Sequence, residues 1–191
     1  MCGIVGGVNR HGLNKELCNV ALQEIHHRGP DFQKITYHNN TSLFLGHARL
    51  KIIDLSDKSN QPFISSCNRY ELIFNGEIFN FHELKLELET DFEFFTSSDT
   101  EVLLNLYKKY KYAMLNKLNG MFAFCIYDKK EDNLFIARDR FGIKQLYYYV
   151  DNNSFYFASE IKAILPFLDK IQENSRMIKT YLDTSLYDYG E

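Results

Sequence analysis

Met121-Phe122-Ala123-Phe124-Cys125-Ile126-Tyr127 is apolar at every position, where a half-buried strand alternates apolar with polar residues. A strand of this kind has to be covered on both faces. Phe155-Tyr156-Phe157 reads the same way, so the chain needs stacked layers. Around these two runs lie other short strands separated by polar turns, Leu134 to Arg138 and Gln145 to Val150.

Upstream, Ile4 to Val8 reads as a first strand. Asn14 to His27 reads as a helix, with Leu17, Ala21 and Ile25 on one face, Asn14 as its cap and Gly29-Pro30 as its stop. Gln33 to His38 and Ser42 to His47 flank Asn39-Asn40-Thr41 as a hairpin. Lys51 to Asp54 is expected to be extended and Leu55 to Pro62 to be loop. Tyr70 to Phe74 is a strand running into Asn75-Gly76-Glu77, where Gly76 is expected to break it. Asn80 with Glu83 marks a helix start, Leu84 and Leu88 facing inward. Phe92 to Thr96 looks strand-like. Ser98 or Asp99 caps an amphipathic helix that buries Val102, Leu103, Leu106, Tyr107 and Tyr110. Ile161 to Leu165 begins a helix broken by Pro166, and Arg176 to Leu182 suggests one more. Strands and helices come in blocks without βαβ alternation, so the class is α+β with largely antiparallel sheet.

At 191 residues one domain is the default, residues 1–191 taken together. A net charge of −3 and no long basic face argue against a nucleic-acid partner, Lys108 to Lys111 reading as a solvated helix face. No apolar run approaches membrane-spanning length and no secretory leader is visible, so a cytoplasmic, membrane-free protein is expected. Cys2, Cys18, Cys67 and Cys125 lack C-x-x-C spacing, which favours reduced thiols over metal ligation.

The chemistry centres on Met1-Cys2-Gly3-Ile4-Val5-Gly6-Gly7. Removal of Met1 would put a thiol and an α-amine, with reference pKa values of about 8.5 and 8, on one residue. That pairs a nucleophile with its own base. Four separated groups are candidates to meet it. Arg49 in Gly46-His47-Ala48-Arg49-Leu50 is able to clamp a carboxylate, or else to form a surface ion pair. Asn75-Gly76 offers oxyanion donors, or else a turn. Asp99 fits a substrate ammonium, or else a helix cap. His27 and Arg28, in His26-His27-Arg28-Gly29-Pro30-Asp31, would otherwise satisfy the last helix carbonyls.

Seven fragments occur in one order: Met1-Cys2-Gly3-Ile4, His27 to Asp31, Asn75-Gly76-Glu77-Ile78-Phe79-Asn80, Ser98-Asp99-Thr100-Glu101, Gly120 to Phe124, Arg138-Asp139-Arg140-Phe141-Gly142-Ile143-Lys144 and Ala158 to Ala163. Over nearly the whole chain this resembles the class II glutamine amidotransferase domain of glutamine-hydrolysing asparagine synthetases. The resemblance implies an N-terminal-nucleophile hydrolase fold, a four-layer αββα sandwich of two antiparallel sheets. It implies Cys2 as nucleophile with its α-amine as base, and Asn75 and Gly76 as the oxyanion hole. It implies that Arg49 holds the α-carboxylate of glutamine, that Asp99 and Glu77 address the ammonium, and that Leu50, Lys51, Ile52 and Ile53 line the pocket. No metal or cofactor is expected in this domain.

Gln145 stands where the family usually has proline, and Phe141 where leucine is common. No Ser-Gly-Gly-x-Asp-Ser pyrophosphate loop occurs. The ending Asp188-Tyr189-Gly190-Glu191 therefore suggests a cut before a C-terminal synthetase domain, which would use ATP and Mg2+ and receive the ammonia. A homodimer is compatible with this reading. Two alternatives stay open: a catalytically silent domain that binds glutamine or a partner protein, and an amidotransferase serving a carboxylate other than aspartate.

Overall fold

The structure, a computed structural model, describes residues 1–185. In chain order its elements are β1 (Gly3–Asn9), α1 (Lys15–Glu24), β2 (Phe32–His38), β3 (Leu43–Arg49), β4 (Phe63–Ile64), β5 (Tyr70–Ile78), α2 (Phe81–Leu88), α3 (Asp99–Tyr110), β6 (Gly120–Asp128), β7 (Asn133–Arg138), β8 (Tyr147–Val150), β9 (Ser154–Ala158) and α4 (Ser175–Thr184). Two sheets form, with strand orders β2-β3-β1-β9-β8 and β4-β5-β6-β7. Every pairing between these strands is antiparallel.

The two-residue period of a strand sorts side chains into layers. On β1, Val5 faces Cys18, Ala21 and Ile25 of the α1 region, together with Ala163 and Ile164. Its neighbour Ile4 faces the other way, into a seam with Leu45 and Phe157 from the same sheet and Ile73, Ala123 and Cys125 from the other. On β6, Phe122, Phe124 and Ile126 turn outward to meet Leu84 and Leu88 of α2 and Val102, Leu103 and Leu106 of α3. The order is helix, sheet, sheet, helix. Strands apolar on both faces are thus those with a sheet on one side and helices on the other.

Several local expectations are corrected. α1 ends at Glu24 and is followed by a 3-10 turn, His26–Arg28; Cys18 and Leu22 are buried where Leu17 is only half-buried. Lys51 to Asp54 and Phe92 to Thr96 are irregular. The backbone N–H groups of Phe95 and Thr96 donate to the Glu101 carboxylate instead of to a neighbouring strand. Gln145 and Leu146 precede the start of β8. Ile161 to Leu165 resolves into 3-10 turns, Ile161–Ala163 and Leu165–Phe167, rather than an α-helix. Asn80 occupies the N-cap position of α2 but uses its side chain to tie residues 117 and 119. Gly76 does not break β5, which runs on to Ile78 paired with β6. Among the described residues no helix is long and apolar enough to cross a membrane. The expected cut at Asp188 to Glu191 lies outside them.

Gly29 shows how closely the turn after α1 packs on β3. A Cβ there would sit 2.2 Å from the Ala48 carbonyl carbon and 2.4 Å from the Arg49 nitrogen, both rigid backbone. Gly29→Ala is expected to destabilise the chain by about 1–3 kcal/mol through overpacking, read as a lower urea midpoint.

Candidate active site

The site grows from an incompletely paired edge. β4 pairs with β5 only at Leu72 and Glu71, so Phe74 to Ile78 have no strand on that side. Other groups take over the exposed main-chain positions. Gln61 Oε1 accepts from Phe74 N–H at 2.6 Å, and Asp99 Oδ2 accepts from Ile78 N–H at 3.1 Å. His47 Nε2–H donates to the Phe74 carbonyl at 3.1 Å. Burial lowers the His47 pKa to about 3, so the ring is a neutral donor. Opposite Gly76, Phe122 directs its own N–H and C=O to Asp139 on the far side of β6. By the two-residue period, Gly76 N–H therefore points away from β6, on the same edge as the N–H groups of Phe74 and Ile78. That edge walls a cleft of about 140 Å3. A cavity of about 150 Å3 admits a benzene-sized molecule, so the cleft has room for a small molecule.

Cys2 stands across the cleft. Its Sγ accepts from Leu50 N–H at 3.4 Å, and Arg28 Nε donates to its carbonyl at 3.0 Å. Arg28 is itself held by Glu160 at 2.9 Å, and Glu160 also binds His27. The buried Ser159 receives Ile4 N–H on its Oγ at 3.0 Å and donates its own N–H to Ile4 O. His27 and Arg28 are thus not helix caps; they fix the residue that carries the thiol. Burial raises the Cys2 pKa, with Leu50 N–H and the N-terminal ammonium pulling against it. The thiol is therefore protonated at neutral pH and needs a base to act as a nucleophile.

Asn75 is 1% exposed, and its Nδ2 has no hydrogen-bond partner among the described residues. A buried donor left unpaired costs about 1–3 kcal/mol. Asn75 lines the cleft beside Gly76. Asp99, 4% exposed, is pushed up to about 6 by burial, with Glu77 nearby adding to the rise and Ile78 N–H opposing it. Arg49 lines the same cleft. Its guanidinium donates to Ser56 O at 2.8 Å, Asn60 Oδ1 at 2.6 Å and Asp54 O, none of them a carboxylate. It is neither exposed nor in a surface ion pair. The loop wraps around it, with the carboxylates of Asp54, Asp57 and Asp31 acting on its charge from farther off.

Cys2, Arg49, Leu50, Ile52, Ile53, Asn75, Gly76, Glu77 and Asp99 all line this one cleft. Lys51 does not: its Nζ pairs with Asp57 at 2.8 Å and its N–H donates to Asp31. Gln61, Thr100, Met121 and Lys144 also line it and escaped the sequence reading. Gln61 gives no signal, since it sits in a polar loop. Lys144 belongs to a conspicuous motif whose role nothing in its spacing discloses.

Residues 1–189 match the family described as a glutamine amidotransferase domain. The chain belongs to that family. This amidotransferase domain is 43% identical over 188 residues to asparagine synthetase [glutamine-hydrolyzing] 1 of Bacillus subtilis, covering 95% of the chain and 29% of that protein. It is 35% identical over 202 residues to asparagine synthetase B [glutamine-hydrolyzing] of Escherichia coli, covering 99% and 36%. A differently named relative, amidase chry2 of Gibberella zeae, is 37% identical over 179 residues and covered to 27%. The domain thus spans about a third of the length of these curated relatives. Its fold matches the glutamine phosphoribosylpyrophosphate amidotransferase of B. subtilis with a TM-score of 0.74 at 24% identity, covering 85% of this chain and 43% of that one. The αββα sandwich is therefore the N-terminal-nucleophile type.

Asp99 makes stability depend on pH. Its folded pKa of about 6 lies above the ordinary carboxylate value of about 4. Between the two the native state holds more protons than the unfolded one, so this contribution falls as pH rises from about 4 to about 6 and is flat above. Asp99→Asn is expected to remove that slope, so that its urea stability relative to wild type gains up to about 3 kcal/mol across the window.

Proposed function

We propose that this chain hydrolyses L-glutamine to glutamate and ammonia at Cys2. The observation that carries the reading is the unpaired, buried Asn75 Nδ2 beside the outward-facing Gly76 N–H, both on the cleft that Cys2 enters. Donors held ready without a partner suit an oxygen that gains charge only during reaction. The charges fit a zwitterionic amino acid: Arg49 for the α-carboxylate, Asp99 and Glu77 for the α-ammonium. Leu50, Ile52 and Ile53 form the wall along the side chain, with Lys51 contributing backbone.

The mechanism follows from Cys2 as the N-terminal residue after loss of Met1. Its α-amine takes the thiol proton, and Sγ attacks the carbonyl carbon of the side-chain amide. Asn75 and Gly76 hold the resulting oxyanion. The ammonium returns its proton to the departing nitrogen, the C–N bond breaks, and ammonia leaves a glutamyl thioester. Water then adds with the amine again as base, the C–S bond breaks, and glutamate and thiol are regenerated. With Met1 attached, the Cys2 nitrogen is an amide and has no lone pair for this task. The route needs no cofactor of this domain's own.

The names of its relatives support a place for residues 1–191 as the glutaminase domain of a longer enzyme, for which we propose a cytoplasmic setting. Its ammonia would pass to a synthetase domain that activates aspartate with ATP and Mg2+. The amidase relative keeps a second acceptor class in view.

Ammonia release from glutamine, by protein whose mass shows that Met1 is gone, is the direct test. Release is expected in wild type and absent in Cys2→Ala and in Met1-retained protein. Asn75→Ala should lose about a hundredfold or more in turnover. Lys129→Ala, whose ammonium binds Asn68 and Glu71 away from the cleft, should stay near wild type. Equal kinetics for Asn75→Ala and Lys129→Ala would sink the oxyanion role.

A further inference from the structure

Lys144 is a cation buried at the nucleophile with no bonded anion. It is 4% exposed, and its ammonium donates to Met1 Sδ at 2.8 Å, its one side-chain hydrogen bond among the described residues. Its position is not accidental. The Asp139 carboxylate accepts from the N–H groups of Phe141 at 3.1 Å, Ile143 at 2.9 Å and Lys144 at 2.9 Å, and Arg138 Nε donates to Lys144 O at 2.8 Å. The loop is clamped on both sides of the residue, and the ammonium is aimed at the first residues of the chain. Buried lysines are ordinarily paired, because an isolated buried charge is costly.

The charged groups around it come from every neighbouring element. Arg28 reaches from the turn after α1, but Glu160 and Cys2 O occupy it. Arg49, at the end of β3, is occupied by the loop carbonyls of Asp54 and Ser56. Glu77 on β5, Asp99 on α3 and the carboxylate of Asp139 complete the set, with the Cys2 thiol. Lys144 is the cation among them that nothing neutralises by direct contact. Burial depresses its pKa, and Arg28 depresses it further.

Loss of Met1 removes the sulfur from Nζ and leaves the new Cys2 amine at the head of the chain, on the cleft that Lys144 also lines. We propose that Lys144 keeps this α-amine in its neutral, proton-accepting form, making it both a ready base and a willing donor to the departing ammonia. The inference rests on the proposed role of Cys2 as an N-terminal nucleophile. Like charges resist coexisting in a buried site, so a fixed ammonium lowers the pKa of a second one. The proton taken from the thiol is then returned to the leaving nitrogen with the same repulsion driving it off. Thiol and amine titrate as a coupled pair, and the cation favours thiolate as well. Lys144 acts through Cys2 and is a positioning residue rather than a catalytic one.

The test uses the whole chain, Met1-free by mass, as wild type, Lys144→Gln and Lys144→Arg. Two quantities are read: the pKa of the Cys2 α-amine by nitrogen NMR on labelled cysteine, and the acid limb of kcat/KM for ammonia release from glutamine. Lys144→Gln should raise both by about one pH unit, so that release below the limb falls about tenfold, while Lys144→Arg keeps the wild-type values. An amine pKa unmoved in Lys144→Gln overturns the proposal. So does a Lys144→Arg variant shifted as far as Lys144→Gln, which would make side-chain shape the cause. Partial misfolding lowers the plateau but leaves the position of the limb in place. Absence of ammonia from wild type would overturn the glutaminase reading alone, since the amine titration still reports on Lys144.

Discussion

A strand edge that its neighbour leaves bare organises this molecule. β4 is two residues long, and β5 continues past it with alternate main-chain donors and acceptors facing away from β6. Buried backbone groups must find partners. Gln61, His47 and Asp99 supply them from a loop, from the opposite sheet and from a helix start. Gly76 N–H lies between the donors that Gln61 and Asp99 take. The cleft is what remains when an edge is capped by side chains instead of by another strand, and its polarity follows from that.

The second sheet is tied to this edge through two routes. His47 crosses the seam between the sheets, in register with Ile4 on β1 and bonded to the residue before Asn75. On the far side of β1, Ser159, Glu160 and Arg28 lock the backbone of Cys2 and Ile4. Cys2, next to β1, and Asn75-Gly76, on β5, thus belong to different sheets, held by a packed core with little freedom to drift. The unpaired Asn75 amide and the buried Lys144 ammonium, which contacts no carboxylate among the described residues, cost the domain stability. Such groups persist where a function requires them.

Much of this was legible in the residues. Strands apolar on both faces announced the stacked sheets, and Asn14 and Ser98 marked helix starts that their side chains indeed cap. Cys2, Arg49, Asn75-Gly76 and Asp99 were identifiable by type, although only the family pattern joined them. What misled was local grammar overridden by tertiary context. Asn-Gly usually signals a turn, yet Gly76 stays in the strand, opposite Phe122 in the ladder with β6, and glycine is needed there because a Cβ would strike Met121 O at 2.3 Å. Phe92 to Thr96 has strand composition, but the Glu101 carboxylate takes its amides. The service of Arg28 and Glu160 to Cys2 spans 26 and more than a hundred positions, beyond any spacing rule.

The bare edge also gives β5 an uneven rhythm of isotopic replacement in heavy water. The amides facing β6 are shielded by the ladder, and those of Phe74 and Ile78 by Gln61 and Asp99. The Gly76 amide, placed within a protected strand but open to the cleft, trades its hydrogen fastest of the run. Occupation of the cleft by an anion-like oxygen would silence that one exchanging position and leave the rest of the strand unchanged.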